Sequence, residues 1–365
     1  MITRTHLRIL FLINNLGMGG AERVFIRDIN ALAAEGYDVS IGFMYPNRED
    51  AKSLPPLTIS HDHIFSFGFR SLYDIAGFRR LVAILRKNEI ELVYSTLDEA
   101  NIVSRIAKLF VPKLKVYVRE ANVGNTKPLQ FKIADILLNV LSRKIVACSP
   151  IVGTTVAAYQ PFHKGKFIVL ENGVDIPPDM PQRPLKNGVD ILTVGSLDPK
   201  KRHAFLLRSV ARLKGIDFSW RLLIVGSGPL EHGLKELVRN LNLSNNVQFL
   251  GQMSKGDVEA LYRSADIFVF TPQWEGGPNV LLEAMSYGLP SVVTRLVGEK
   301  VEDGITGFLV DYNNEKALAE RLTQLARDPV LRNTMGLAAR AKVIRENSID
   351  AHIRQLHTVL ELDRV

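Results

Sequence analysis

A single cysteine stands in 365 residues, so no disulfide can form within the chain and burial alone must hold its core. That residue, Cys148, lies in the strand-like run Lys144–Cys148 and reads as a small buried apolar side chain rather than a reactive thiol. No apolar run reaches the roughly 18 residues that a bilayer-spanning helix requires. The N-terminal stretch Leu7–Ile13 is short, contains Arg8, and runs into Asn14-Asn-Leu-Gly17 rather than a small-residue cleavage site. It is therefore expected to be a first strand and not a signal peptide, and the protein is expected in the cytoplasm. Neither glycine-rich loop completes G-x-G-x-x-G: Glu22 holds the last place after Gly17-Met-Gly19, and Glu231 holds it after Gly226-Ser-Gly228. A nicotinamide oxidoreductase is disfavoured accordingly. There is no Asp-x-Asp pair to hold a metal against a diphosphate, and His61-Asp-His63 stands alone. Aromatic residues make up 8%, with no basic-aromatic platform or zinc-finger spacing, which excludes the usual nucleic-acid binders. Internal repeats and low-complexity tracts are absent too.

What remains is the composition of a globular protein, 46% hydrophobic and 23% charged, long enough for two domains that each bury a core. Strand-like and helix-like segments alternate throughout with short Gly, Pro and Asp/Asn punctuation, the pattern of parallel sheets covered by helices. Strands are expected at Leu7–Ile13, Tyr37–Phe43, Glu91–Ser95, Leu114–Arg119, Asp190–Val194, Arg221–Val225 and Pro290–Thr294. Helices are expected at Glu22–Glu35, His203–Lys214 and Ile349–Leu362. The net charge of +8 is uneven: residues 1–175 hold 22 Lys and Arg against 16 Asp and Glu, and residues 176–365 hold 24 against 22. The first half is thus the better surface for an anionic partner such as a lipid diphosphate or an anionic membrane leaflet. One helix there sets Arg79, Arg80, Arg86 and Lys87 opposite Ile75, Phe78, Val82 and Leu85, either a core helix with a solvated basic side or a membrane contact.

The densest chemistry lies in Glu275-Gly-Gly-Pro-Asn-Val-Leu-Leu-Glu283, between the strand-like Ile267–Thr271 and the turn Tyr287-Gly-Leu-Pro290. Gly276 and Gly277 allow close backbone approach, and Pro278 suits the first position of a helix whose amides favour an anion. Glu275 before that helix and Glu283 inside it can accept hydrogen bonds from paired hydroxyls of a sugar or ribose.

These two glutamates eight positions apart, followed by Ala284-Met-Ser-Tyr-Gly-Leu-Pro-Ser-Val-Val293, resemble the E-x7-E signature of the retaining family 4 glycosyltransferases. Gly19-Gly-Ala-Glu22 after the first strand, Asn172-Gly-Val-Asp175 before the proline-rich stretch, and Gly304-Ile-Thr-Gly-Phe-Leu-Val-Asp311 resemble the same family, so the likeness spans nearly the whole chain. It implies the GT-B architecture: an α/β protein of two facing Rossmann-like domains with parallel sheets and a deep interdomain cleft. The expected division is an acceptor-binding domain over 1–172, a nucleotide-sugar-binding domain over 173–345, and a C-terminal helix over 346–365 that packs back on the first domain.

By the same resemblance Glu275 contacts the donor sugar, Glu283 the ribose, and Lys201 the donor diphosphate. Gly19, Gly20, Gly276, Gly277, Pro278, Asn279 and Val280 line the donor through their backbone, and Gln252 and Met253 lie at the base. Ser196 stands where the family usually has an arginine, with Lys200 or Arg202 as candidate replacements. The family's histidine is missing beside Arg119 and Glu120, where Arg119 can neutralise a phosphate and Glu120 can bond the acceptor hydroxyl, or the two can serve a structural ion pair. The catalytic candidates are therefore Glu275, Lys201, Arg119 and Glu120. The implied reaction moves a hexose or N-acetylhexosamine from a nucleotide diphosphate sugar, UDP before GDP, to a lipid-linked or polysaccharide acceptor. No cofactor, essential metal or nucleic acid is expected, and a peripheral contact with the cytoplasmic face of the inner membrane is. The alternatives are a sugar-nucleotide epimerase on the same fold and a non-catalytic sugar-nucleotide-binding scaffold.

Overall fold

A computed structural model describes residues 7–16, 20–46, 56–183, 188–213, 217–297 and 299–362. The chain divides into two compact units: residues 1–173 with 352–365, and residues 174–351.

Unit 1 runs β1 (Arg8–Ile13), α1 (Gly20–Ala34), β2 (Asp38–Phe43), β3 (Ile64–Ser66), α2 (Ile75–Lys87), β4 (Leu92–Thr96), α3 (Asp98–Phe110), β5 (Lys115–Glu120), α4 (Leu129–Leu138), β6 (Lys144–Ala147), α5 (Pro150–Ala158) and β7 (Phe167–Val169). Its strands form one parallel sheet in the order β3-β2-β1-β4-β5-β6-β7. The central strands are buried on both faces, as a helix-covered parallel sheet requires, which is why they read as continuous apolar runs. Phe11, Phe25 and Tyr94 meet at ring-centroid distances of 5.1 to 5.5 Å on one side of the sheet.

Unit 2 runs β8 (Val189–Val194), α6 (His203–Val210), β9 (Trp220–Val225), α7 (Glu231–Asn240), β10 (Val247–Gly251), α8 (Lys255–Ser264), β11 (Ile267–Phe270), α9 (Asn279–Ser286), β12 (Ser291–Thr294), β13 (Gly307–Val310), α10 (Glu315–Arg327) and α11 (Pro329–Asn347). Its parallel sheet has the order β10-β9-β8-β11-β12-β13. Side chains alternate across it with the period of a strand. Ile191, Ile224, Ile267, Val269 and Val292 join one core layer, whereas Leu192, Leu223, Phe268, Phe270 and Val293 join the other.

The last helix, α12 (Ile349–Leu360), brings the chain back to unit 1. His352 is buried there, with Nε2 2.8 Å from Asp28 Oδ1 and Nδ1 2.6 Å from the Glu171 carbonyl oxygen. Further along, His357 packs edge-on against Tyr37, and Arg143 donates to the Glu361 carboxylate at 3.0 Å.

Three local expectations change. The helix after the central motif begins at Asn279, one residue later than expected, with Pro278 as its N-cap at ψ 74°, outside the helical region. In α2, Ile75 is not on the core side: it is 68% exposed, and Leu81 is buried instead, because the helix starts at Ile75 with Asp74 capping the amides of Ala76 and Gly77. Helix α6 ends at Val210 and continues as a 3-10 turn over Ala211–Leu213, with Lys214 outside the described residues.

Candidate active site

In a doubly wound sheet a crevice opens at the carboxyl ends of two neighbouring strands whose connections leave in opposite directions. In unit 2 those strands are β8 and β11: β8 leads to β9 on one side, and β11, paired with β8, leads to β12 on the other. The loop after β8 carries Gly195 to Arg202, and the loop after β11 carries Thr271 to Pro278. Their backbones are joined, since the Gln273 N–H donates to the Lys200 carbonyl at 2.7 Å and Thr271 Oγ1 donates to the Lys201 carbonyl at 3.4 Å. At the junction the Lys201 ammonium donates to the Glu275 carboxylate, with its Nζ 5.1 Å from the centroid of the Phe270 ring. The two residues that sequence reasoning singled out 74 positions apart are thus one ion pair, half-buried at the switch point.

The loop after β8 is shaped by Asp198. Its carboxylate accepts from Ser196 Oγ at 2.6 Å and from the Lys201 N–H at 3.3 Å, closing a 3-10 turn over Pro199–Lys201. The Lys201 stem lies along Gly195, where an added Cβ would meet its Cε at 3.5 Å. Close approach also explains Gly226-Ser-Gly228. A Cβ at Gly226, whose φ is +132°, would fall 2.0 Å from the Gly195 carbonyl oxygen, and one at Gly228 would fall 2.6 Å from that of Leu197. Those glycines let two loops touch.

Arg202, a candidate for the place of the missing arginine, is held by neighbours of its own in the free protein. Its backbone is left-handed at φ 55°, and its guanidinium lies 3.8 Å over the Tyr312 ring and 4.6 Å over Phe205 while donating to Asn313 Oδ1. That stacking holds the guanidinium between two aromatic rings. Lys200 lies 3.9 Å from Asp198. The next residue, His203, carried no signal in the sequence, yet burial and then the charge of Lys201 push its pKa down to about 4. It is neutral near pH 7, which leaves Lys201 without a second cation pressed against it.

On α9, Glu283 Oε2 accepts from Tyr262 Oη at 3.1 Å. Tyr262 is fully buried, stacks on Tyr287 at 5.5 Å, and is held protonated by burial and by Glu283. Sequence reasoning missed it, since a tyrosine on the inner side of a helix looks like core. Among the helix-opening backbone groups, the Asn279 N–H is taken by the Gly277 carbonyl at 2.9 Å, and the N-cap residue Pro278 makes no side-chain cap. Gly276, Gly277, Pro278 and Val280 are all partly accessible around it. Gln252 and Met253 follow β10, two strands from β8 and so about 10 Å from the switch point. Gln252 is exposed, whereas Met253 leans on the apolar layer that contains Tyr262.

In unit 1 the corresponding switch point lies between β1 and β4, where Asn14 spans the gap: Nδ2 donates to Glu99 Oε2 at 3.0 Å and Oδ1 accepts from the Ala100 N–H at 3.0 Å. Gly20 opens α1 there and is exposed, whereas Gly19 lies outside the described residues. Arg119 and Glu120, at the end of β5, are both 2% exposed and point to opposite faces of the strand. Arg119 donates to Tyr94 Oη at 3.0 Å and to Asn172 Oδ1. Glu120 accepts from Lys127 Nζ at 2.7 Å, and the same ammonium donates to Asp135 at 2.6 Å and pairs with Asp98 at 2.9 Å. Asp135 in turn binds Arg105 at 2.9 Å and Tyr159 Oη at 2.8 Å. Arg119 and Glu120 therefore do not form the ion pair that was one reading of them: Arg119 bonds neutral partners, and Glu120 belongs to a separate buried ion network. One lysine shared among three carboxylates cannot neutralise them all. Burial, only partly offset by Lys127, pushes Glu120 up to about 7.

Two parallel sheets, one of which brings a lysine–carboxylate pair to its switch point, define a chain of two Rossmann-like units. Residues 18–176 match the family described as Glycosyltransferase Family 4, and residues 176–342 match that described as Glycosyl transferases group 1. The chain belongs to the family 4 glycosyltransferases. It is 28% identical to an uncharacterized glycosyltransferase of Haemophilus influenzae over 89% of this chain and 92% of the relative. It is 25% identical to an α-1,4-N-acetyl-D-galactosaminyltransferase of Campylobacter jejuni named for a GalNAc-α-(1→4)-GalNAc-α-(1→3)-diNAcBac-PP-undecaprenol substrate, over 90% and 91%. Among solved structures it shares the fold of HepE from Anabaena in complex with UDP and glucose, with a TM-score of 0.81 at 20% identity over 98% of this chain and all of that one. The architecture is GT-B, and the protein is a glycosyltransferase of glycan biosynthesis.

Proposed function

We propose that the enzyme transfers a hexose or N-acetylhexosamine from a UDP-sugar to a lipid-linked acceptor glycan, with retention of the donor's anomeric configuration. The observation that carries the reading is the Lys201–Glu275 pair at the β8–β11 switch point. UDP departs from the sugar's anomeric carbon, which the acceptor hydroxyl takes over, once the charge on the departing diphosphate is stabilised. A lysine fixed beside that charge in a half-buried site supplies the stabilisation. Glu275 then turns to the sugar hydroxyls, and Glu283, aligned by Tyr262, accepts from the ribose. The roughly 10 Å from the switch point to the loop after β10 suits the span from diphosphate to base, which supports Gln252 and Met253 as the residues nearest the uracil. Arg119 and Glu120 shape unit 1 rather than touch the reacting atoms. The UDP-bound fold neighbour and the undecaprenol-linked substrate in the relative's name support the donor and the acceptor class. With Lys201 as the fixed charge and no Asp-x-Asp pair in the sequence, we infer that turnover survives chelation of divalent metals. A polyprenyl-type acceptor would hold the enzyme at the cytoplasmic face of the inner membrane.

The test is a thermal-shift panel of UDP, GDP, ADP and their sugars, followed by transfer assays with EDTA and NMR of the product's anomeric proton. A selective UDP shift is expected, since a ligand that binds only the native state raises its melting temperature. Glu283→Ala should weaken that shift, and Lys201→Ala should lower kcat by about a hundredfold or more while the fold persists. Full activity in both variants would remove the site assignment, and an inverted product would remove the stereochemical one.

A further inference from the structure

Helix α4 is inside out. Of its ten residues the buried one is Asp135, held by Arg105, Lys127 and Tyr159. Its aliphatic side chains point to solvent instead: Leu129 is 72% exposed, Ile133 49%, Ile136 39% and Leu137 66%, with Val140 in the following turn at 63%. These positions recur at helical spacing and form one face. Phe162, 90% exposed, lies beside the helix's C-terminal half, because its neighbour His163 sits 3.0 Å from the Ile136 carbonyl oxygen. An ordinary surface helix turns such residues inward. Here an ion network occupies the inner side, so the apolar face has no partner among the described residues of unit 1.

The charge around this face says what covers it. From Ala100 to Leu170 the sequence has eleven lysines and arginines and only two acids, Glu120 and Asp135. Both acids are buried, together with Arg105, Arg119 and Lys127, and the other eight cations reach solvent. Arg143 among them is paired with Glu361. Lys132 stands on α4 itself, Lys164 follows Phe162 and His163, and the Lys166 ammonium caps the carbonyls of Asn139, Val140 and Ser142 where the helix ends. The surface that 71 residues of sequence offer to water thus carries no acidic side chain of its own. A protein partner would have to be acidic and apolar at once, whereas an anionic lipid leaflet is both by construction.

We propose that α4 and the turn after it are the membrane-docking face of the enzyme, with the aliphatic row seated among acyl chains and the lysines at the headgroup phosphates. This deepens the membrane part of the proposed function and rests on it. It also moves the contact away from the basic side of α2, where Arg80 is committed to the carbonyls of Phe67 and Gly68 and Arg86 to that of Phe110.

The experiment is co-sedimentation of the full chain with phosphatidylglycerol and phosphatidylcholine vesicles, comparing wild type, Leu129→Ser/Leu137→Ser and Lys132→Glu/Lys164→Glu. Wild type should partition onto phosphatidylglycerol, weakly onto phosphatidylcholine, and less as salt rises. The leucine variant should lose about tenfold or more of the partition coefficient and the lysine variant a similar factor, with melting temperature and UDP-induced shift retained in both. Wild-type binding undiminished in the leucine variant would overturn the α4 face while leaving a membrane contact elsewhere. No vesicle binding by wild type, with a dimer in light scattering that the leucine variant dissolves, would overturn it in favour of a second copy. Loss of the UDP shift in wild type bears on the donor site alone, so the two readings fail separately.

Discussion

Replacing Glu120 by glutamine separates a structural carboxyl from a catalytic one. In the folded protein Glu120 is pushed from 4.5 up to about 7, so it holds its proton more tightly than the unfolded chain does. A raised folded pKa contributes stability that is fully present below about 4.5 and is lost as pH rises through about 7. Each pH unit between the folded and unfolded carboxyl is worth about 1.4 kcal/mol, so the ceiling is about 3 kcal/mol of stability lost across that window. Glutamine cannot titrate, and its carbonyl can still accept from Lys127. Its amide then falls at the position of the buried Glu120 Oε1, which has no partner, a pH-independent cost of about 1–3 kcal/mol.

The readout is therefore a slope. Urea unfolding of both proteins between pH 4.5 and 8 should show wild type losing up to about 3 kcal/mol relative to the variant as pH rises, with the curves converging or crossing near neutrality. A pH-independent difference would refute the burial argument. A collapse of kcat with unchanged stability would refute the structural assignment and return Glu120 to the acceptor.

Three shorter tests address unit 2. Tyr262→Phe removes the 3.1 Å bond to Glu283 and should weaken UDP binding by up to about tenfold, the lower end of what one hydrogen bond to a charged group is worth, with the fold retained; equal affinity would show that Glu283 needs no alignment. Gly226→Ala places a Cβ 2.0 Å from the Gly195 carbonyl oxygen at φ +132° and should destabilise the protein by at least about 2 kcal/mol in urea unfolding, whereas a neutral result would mean that the two loops can separate freely. Glu275→Gln frees the Lys201 ammonium from its carboxylate and should tighten binding of bare UDP in calorimetry while lowering transfer; weaker UDP binding would show that the carboxylate positions the lysine instead.

The alternating parallel-sheet architecture was legible because each central strand is buried on both faces and so appears as an unbroken apolar run between turn residues. Lys201 and Glu275 were legible as individual residues through their motifs, but their contact was not, since it depends on β11 pairing with β8 across an intervening stretch of chain. Glu120 and Arg119 were read as site candidates with a structural pair as the other choice. Nothing local in Val118-Arg-Glu120 tells that Lys127, Asp135 and Asn172 converge on them. Helix α4 was invisible for a related reason. Its aliphatic spacing predicts a face turned to the core, and only the position of Asp135 among Arg105, Lys127 and Tyr159 reveals that the face is turned outward.

The Lys201–Glu275 pair also sets how selective the site can be. With the two charges bonded, the switch point presents little net charge, so inorganic phosphate or a free nucleotide gains only what remains after it displaces the carboxylate. A ligand that brings hydroxyls for Glu275 as well as a diphosphate for Lys201 replaces the ion pair with two charge-assisted interactions, each in a half-buried setting where it counts for more than in water. Under the proposed function, donor and leaving nucleotide would thereby be distinguished: the intact sugar nucleotide would satisfy both residues, whereas UDP alone would leave Glu275 competing for Lys201 and be more easily released. In this way a pair that looks like a structural salt bridge in the free protein would act, under that reading, to bind the donor and expel the product.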